Sequence, residues 1–410
     1  RRELPAGASR VLEVAACTAG RSTDPALLAE CLEASDAESL ADRIAELVDA
    51  GLVQRDQTGR LLVHSLVRTC VLSRTDTHAR RDAIARLSDA LERRLAAANR
   101  LMAWSTIRPD MPDVRRALER AAAEELPRAR EALLFEYGLY LCEQGQIRAA
   151  DEALREGKRL CEARPGPDRM RCAEYARRLA EAAMRSGERD EPLTLARAAL
   201  EAAENALGDD APETVQFRIT MGLVLKMSGQ ADEALGHYVR ALALCEAGAD
   251  PDGRATATCL NNIGTLLEAK GRPEEALSYL QRALEADERL CGPDHPRVAI
   301  RLNNIGRVRR GLGQAEDALD AHRRAIEIYD AAYGPEQRDS AMSRLYAGEA
   351  LFELGRLDEA HALLREAAET LERTIGPAHS GTQRARALLS MFDPSPSPHA
   401  NLAHEGSGAL

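Results

Sequence analysis

Asn261, Asn262, Thr265, Asn303, Asn304, Arg307 and Arg310 fall at spacings that bring them to one side of two helices, and Lys226 belongs to the same stripe one unit earlier. A side-chain amide donates to and accepts from a peptide backbone at the same time, and a guanidinium pairs with a carboxylate. The chemistry on offer is recognition of an extended protein or peptide segment, with an acidic segment as the best fit. Bond-making chemistry is not signalled. No Ser-His-Asp or Cys-His constellation stands out, so no catalytic residue is assigned and the chain is read as a non-enzyme. The nine cysteines contain no C-x-x-C pair, so neither a zinc site nor a disulfide framework can be read from them, and they look like buried, reduced thiols. His295 and His379 read as turn or cap residues, because no second His or carboxylate follows at metal-site spacing. There is no G-x-x-x-x-G-K-[ST] phosphate loop, so the chain is expected neither to bind nor to hydrolyse nucleotide by itself. No cofactor and no metal are expected.

The elements that must position these side chains are set by a repeat. Gly145, Gly187, Gly229, Gly271, Gly313 and Gly355 follow one another at intervals of 42 residues. Seven residues before them stand Gly138, Ala180, Gly222, Gly264, Gly306 and Gly348, and twelve after them Gly157, Ala199, Ala241, Ala283, Ala325 and Ala367. Small residues recur where helices must touch. Ala150, Ala234, Ala276, Ala318 and Ala360 extend the pattern, with Pro192 in the second unit tolerated in a first helical turn. Each unit is thus an A helix ending near the period-setting glycine and a B helix packed antiparallel to it. A single unit leaves an apolar face exposed, so neighbours must stack. The fold expected is all-α: a right-handed superhelical α-solenoid with a concave surface lined mainly by A helices. Positions two, five, nine and twelve of each A helix point away from B, and this stripe holds Lys226, Asn261, Thr265, Glu268, Asn303, Arg307 and Arg310, with Asn262 and Asn304 at its edge. Tyr137, Tyr238, Tyr279 and Leu280 read as core, and Trp104 as an anchor to the first repeat.

These residues resemble the tetratricopeptide repeat, and Leu260-Asn261-Asn262-Ile263-Gly264, Leu302-Asn303-Asn304-Ile305-Gly306 and the loops Gly292-Pro293-Asp294-His295-Pro296 and Gly334-Pro335-Glu336 resemble the kinesin light chain variety. Units four and five match best, while the first two lack the Asn pair and the Gly-Pro loop. The resemblance implies that the asparagine pairs line a peptide groove.

Residues 1–75 are organised differently. Asp24-Pro25 marks a helix start, and Ser35 with Glu38 forms a capping box for a helix ending near Gly51. Leu52-Val53 and Leu61-Leu62-Val63 flank a turn around Asp56 and Gly59 and suggest two strands. Three helices and a hairpin make a small winged-helix-like domain. Its third helix carries Asp36, Glu38, Asp42, Glu46 and Asp49 against Arg43, so it would be repelled by phosphate backbones and a DNA-binding regulator is disfavoured. The order Gly51-Leu52-Val53 and then Val63-His64-Ser65-Leu66-Val67-Arg68 resembles the winged-helix domain of NB-ARC proteins, the STAND switch ATPases. That resemblance would put His64 at the family's nucleotide-sensing His position, with Val63 and Ser65 departing from the flanking Met and Asp. Residues 76–130 are then a helical connector, 131–382 the six repeats, 383–392 a capping helix, and 393–410 a disordered tail.

Composition agrees. A net charge of −11 makes nucleic acid a poor partner, and no apolar run approaches the roughly 18 to 20 residues that span a bilayer. The cytoplasm is the expected compartment, and lysines only at 158, 226 and 270 suggest a high-GC bacterial coding bias. Because the chain starts at Arg1, an upstream nucleotide-binding domain is an expected partner if it is a piece of a longer protein. The readings that follow are the sensor half of a bacterial STAND-type switch or, alternatively, a stand-alone adaptor.

Overall fold

The sequence is rich in Ala, Leu, Glu and Arg, which favour helix, and among the described residues the only strands are two of three residues each. The computed structural model describes residues 6–18, 23–32, 39–101, 103–187, 190–250 and 253–392. The proposed capping box of Ser35 and Glu38, the acids at 36 and 38, and the proposed tail at 393–410 lie outside them. The chain divides into two compact units, Arg1–Asp209 and Asp210–Leu410.

The first unit begins with α1 (Ala6–Cys17), α2 (Pro25–Cys31) and α3 (Leu40–Asp49), then β1 (Val53–Arg55) and β2 (Leu61–Val63). Asp24 caps α2 by accepting from the Ala26 amide at 3.0 Å, with Pro25 opening the helix. Beyond α3 the chain turns at Gly51, whose φ of 69° suits glycine. The strands pair antiparallel with Val53 opposite Val63, and Asp56 closes the turn by accepting from the Thr58 and Arg60 amides. Then come α4 (Ser65–Arg74), α5 (Thr77–Leu101), the single turn α6 (Trp104–Ile107), a 3-10 turn at Arg108–Asp110 and α7 (Met111–Ala123). One apolar core joins these parts, with Val11, Leu27, Leu28, Leu61, Leu87 and Leu91 fully buried. Arg94 on α5 ties Asp24, Glu30 and Asp110 together. Two helix pairs close the unit: α8 (Pro127–Glu143) with α9 (Ile147–Glu162), and α10 (Arg169–Ser186) with α11 (Asp190–Leu207).

The second unit holds four more pairs: α12 (Val215–Met227) with α13 (Ala231–Leu244), α14 (Arg254–Ala269) with α15 (Pro273–Cys291), α16 (Pro296–Gly311) with α17 (Ala315–Tyr333), and α18 (Arg338–Glu353) with α19 (Leu357–Ile375). A last helix, α20 (Ser380–Leu389), follows. All six period-setting glycines have φ between 72° and 86°, so each ends an A helix in a left-handed turn. The glycines seven residues earlier do a different job. A Cβ on Gly264 would stand 2.7 Å from Leu280 Cγ, and Gly138, Gly222, Gly306 and Gly348 meet Leu154, Tyr238, His322 and Leu364 as closely. Sixteen residues separate the partners each time, so a missing side chain on A admits a large one from B.

Several expectations need correction. The helix expected at 383–392 starts earlier, because the His379 imidazole caps it by accepting from the Gly381 amide at 3.0 Å. Tyr238 and Leu280 are fully buried, but Tyr137 and Tyr279 are half-buried. Cys161 and Cys172 are linked as a disulfide between α9 and α10, with Cα atoms 6.0 Å apart, and Cys70 is exposed, so the cysteines are not uniformly buried, reduced thiols. Their eleven-residue separation matches no motif, which is why sequence did not disclose the pair.

Candidate functional site

In the second unit the stripe residues join each A helix to the next. Lys226 on α12 donates to the Thr265 hydroxyl on α14 at 2.7 Å, and that hydroxyl donates to the Asn262 carbonyl at 3.0 Å. Asn304 on α16 donates to the Asn261 side-chain oxygen at 2.8 Å, and Asn303 donates to the Ser343 hydroxyl on α18 at 2.7 Å. Arg307 pairs with Glu268. Arg310 pairs with Glu349, which also holds Arg384 on α20, and lies 3.6 Å from Glu353. All eight sequence-nominated residues of the stripe are therefore together. Asn261 is buried and the rest are half-buried.

The amide pair is not saturated. With Asn304 Nδ2 spent on Asn261 Oδ1, the Nδ2 donor of Asn261 and the Oδ1 acceptor of Asn304 have no side-chain or backbone partner among the described residues. One donor and one acceptor side by side match the N–H and C=O of an extended backbone. The arginines offer less than their number suggests, because Arg307 and Arg310 each face a carboxylate. Among the described residues Lys226 has only a hydroxyl as hydrogen-bond partner. Burial, and then Arg307, pull its pKa down from the ordinary lysine value.

Three groups at this site escaped sequence reasoning: Ser343, Glu349 and His322. His322 on α17 is fully buried, its Nδ1 3.0 Å from Asn303 Oδ1. Since the Asn303 nitrogen donates to Ser343, the imidazole Nδ1 carries the proton and donates to Asn303. Its Nε2 meets no hydrogen-bond partner among the described residues. Burial, then Arg310 and Arg307, hold the ring neutral with a pKa of about 3. A signal existed: His322 stands sixteen residues after Gly306, where the other repeats have Leu154, Ala196, Tyr238, Leu280 and Leu364. A polar residue in an otherwise apolar column marks a special contact.

His64 is exposed and caps α4, its Nδ1 accepting from the Leu66 amide at 3.2 Å. His295 caps α16 the same way through the Arg297 amide. A cavity of about 510 Å³ in the first unit lies where α5 and α6 meet α8 and α10. Trp104, Phe135 and Leu139 form its apolar wall, and Arg100, Glu136 and Arg185 are among its charged lining residues. Trp104 thus does sit against the first helix pair, partly buried. No cluster of three or more potential metal ligands occurs among the described residues, and no described helix is long and apolar enough to cross a membrane.

Stacked antiparallel helix pairs bound to one another through side chains on successive A helices define an α-solenoid repeat scaffold. Residues 170–247, 216–289, 255–331 and 303–373 each match the family model of the tetratricopeptide repeat, and this stretch of the chain is a run of tetratricopeptide repeats. The pair α8 and α9 precedes the matched residues and joins the array by its geometry. A comparison with curated proteins found no match. Among solved structures, the chain is similar to a Rap protein complexed with competence and sporulation factor, at 16% identity over 89% of this chain and 94% of that one, TM-score 0.52. It is also similar to a signal transduction ATPase with numerous domains, a STAND protein with a tetratricopeptide repeat sensor from Pyrococcus horikoshii. There the identity is 13% over 95% of this chain and 64% of that one, TM-score 0.51. The apo form of the quorum sensor NprR from B. thuringiensis matches at 14% identity over 87% and 94% of the two chains, TM-score 0.50. At these identities the likeness is one of fold. The tetratricopeptide fold is typically a non-catalytic scaffold, and no enzymatic family is indicated.

Proposed function

We propose that the repeats bind an extended segment of another protein along the A helices of residues 215–310, and that the chain is the sensor half of a bacterial STAND-type switch acting in the cytoplasm. The observation that carries the binding site is the half-used amide pair of Asn261 and Asn304. It offers a backbone a donor and an acceptor already fixed by the neighbouring helix, so little ordering entropy is lost on binding. Lys226, Asn262, Thr265, Asn303, Arg307 and Arg310 complete the site. Because Arg307 and Arg310 already pair with carboxylates, the preference for acid narrows to one acidic side chain opposite Lys226. In this reading residues 1–75 form a winged-helix-like domain, 76–130 a connector and 131–382 the array. His64 faces the nucleotide of an upstream domain. The likeness in fold to a STAND protein with a repeat sensor supports this order of parts. Such a switch works when the bound segment has different affinities for the resting and active arrangements.

The test is a peptide-library selection on the full chain, followed by titration of the enriched peptides into the Asn261→Ala, Asn303→Ala double variant with helicity monitored. A loss of about tenfold or more with unchanged circular dichroism supports the site. Equal affinity removes it. Sequence upstream of Arg1 tests the switch separately: a phosphate loop within about 300 residues supports it, and its lack favours a stand-alone adaptor.

A further inference from the structure

The junction between the first two helix pairs is covalent. The Cys161–Cys172 disulfide fastens α9 to α10, and its two sulfurs stand in different surroundings. Cys161 is fully buried among Phe135, Leu154, Tyr175 and Leu179. Cys172 is half-buried and lines a groove of about 430 Å³ where α9, α10 and α11 meet. The repeat pattern explains the groove. In the fourth and fifth pairs an arginine on the B helix, Arg282 or Arg324, reaches back to Glu246 at 2.9 Å or Glu288 at 2.8 Å. Ala198 stands at the same place in the second pair and has no arm to extend. Glu162, the corresponding acid, pairs instead with Lys158 on its own helix at 2.6 Å. Ala173, Ala198 and Ala202 therefore leave open space over Cys172, and Lys158 and Arg169 against Glu162 give the groove a net positive charge. Below it, the Asp168 carbonyl oxygen lies 3.6 Å from Cys161 Sγ, placed to accept a proton from that thiol once the bond is cut. Cys142 packs against the same apolar cluster, but burial pushes its thiol up to about 11, so at neutral pH it supplies almost no thiolate to attack the bond from inside.

We propose that Cys172 is a thiol-exchange site that takes a small anionic thiol of the glutathione class as a mixed disulfide. Which sulfur of a disulfide is attacked follows access. The incoming thiolate bonds to Cys172 Sγ, the Cys161–Cys172 bond breaks, and its electron pair leaves on Cys161 Sγ, which takes a proton from water. A second thiol attacks the outer sulfur of the mixed disulfide, freeing Cys172 and carrying away the two thiol molecules joined as their own disulfide. Two thiols are thus oxidised and one protein disulfide is reduced. The fold tolerates the product, since the Cys161 thiol keeps its apolar neighbours and its carbonyl acceptor. What the exchange removes is the staple between two repeats. The proposal is independent of the peptide site, which lies in the other unit.

The experiment uses the full chain, air-oxidised and freed of reductant. In denaturant, seven of its nine cysteines should react with a thiol reagent. The folded chain is then mixed with reduced glutathione, quenched with acid at intervals and mapped by mass spectrometry. Reduced glutathione adds only where a disulfide already stands, so the exposed Cys70 is not a competing site. The adduct should appear on Cys172. Glutathione should react about threefold faster than its uncharged-carboxyl diethyl ester, compared per thiolate, and the gap should close as salt is raised. Ala198→Arg, which restores the arm towards Glu162, should slow the exchange about tenfold in the folded chain and leave it unchanged in denaturant. The proposal is overturned if all nine thiols react at the outset, if the adduct maps to Cys161, if the ester reacts as fast as glutathione, or if Ala198→Arg exchanges at the wild-type rate. Should that variant fail to fold, the position of the adduct and the ester comparison on the wild-type chain decide.

Discussion

His322 should make the repeat array acid-sensitive in a window that no surface group produces. The ring is fully buried, its one hydrogen-bond partner among the described residues is Asn303, and its pKa is held down to about 3. In the unfolded chain it titrates near the ordinary value of 6.5. Between those two values the unfolded state binds a proton that the folded state refuses. Stability therefore rises with pH in this window, and it is lost as pH falls from about 6.5 towards 3, at ~1.4 kcal/mol per unit. At about pH 5 the loss reaches roughly 2 kcal/mol, a large share of a typical folding free energy. Full burial means that solvent does not screen the effect. His322→Leu is the matched control, because Leu280 and Leu364 occupy the same place in the adjacent repeats. The variant loses one hydrogen bond but also an orphaned Nε2, so near pH 7.5 it should lie within about 1 kcal/mol of the wild type. Urea unfolding of both chains at about pH 7.5, 6 and 5 gives the difference in stability, from which the shared carboxylate titrations cancel. The variant should gain on the wild type by about 2 kcal/mol across that range. Two curves that stay parallel would refute the reasoning, since the ring would then be taking up its proton without leaving its site.

Gly264→Ala should destabilise by about 1 to 3 kcal/mol in urea unfolding, because the new Cβ meets Leu280 Cγ at 2.7 Å and the Ala276 carbonyl at 3.1 Å. Adding Leu280→Ala should make the two losses less than additive, and strict additivity would show that the contact is not the cause. Gly334→Ala should cost about 1 to 3 kcal/mol for another reason: its φ of 86° and ψ of 161° exclude side chains, while the space around it is open. No neighbouring truncation should recover that loss. Asp287→Ala should cost about 3 to 5 kcal/mol, since Asp287 is fully buried between Arg297 at 2.9 Å and Arg301 at 2.7 Å and its removal strands both cations. An unchanged urea midpoint would place those arginines in solvent instead.

The helix pairs were legible because their determinants are local. A glycine at each A-helix end needs a positive φ, and a glycine seven residues earlier needs room for a partner sixteen residues ahead. Both facts sit at fixed offsets in a string. The hairpin at 53–63 was legible for the same reason, through Asp56 and Gly59. The stripe of Lys226, Asn261 and Asn303 was legible as a set, because helix geometry alone puts those positions on one side. Its electrostatics were not. Whether Arg307 is free or paired depends on Glu268, 39 residues away on another helix, and helical periodicity does not say how two helices are offset. The anchoring of Asn303 by His322 and the pairing of Cys161 with Cys172 are likewise facts of stacking.

The column of residues at repeat junctions shows what that stacking adds. Positions fourteen residues apart face each other where one B helix meets the next A helix, and their chemistry changes from junction to junction. Cys161 shares an apolar cluster with Tyr175. Cys245 and Cys259 are both buried free thiols. Asp287 holds Arg301 in a buried ion pair, and Leu371 packs with Ala385. Had these positions been uniformly apolar, one A helix could stack on several B helices at similar free energy. Setting the buried Asp287 against an apolar A helix would strand its charge, at a cost of several kcal/mol. Arg301 is penalised in the same way anywhere but on α15. The Gly-to-large-residue contact inside each pair makes the repeats alike, and the junction pairs make them distinct. That distinctness keeps Asn304 opposite Asn261 and Asn303 opposite Ser343, because a slip of one repeat would dismantle the amide ladder along with the ion pair.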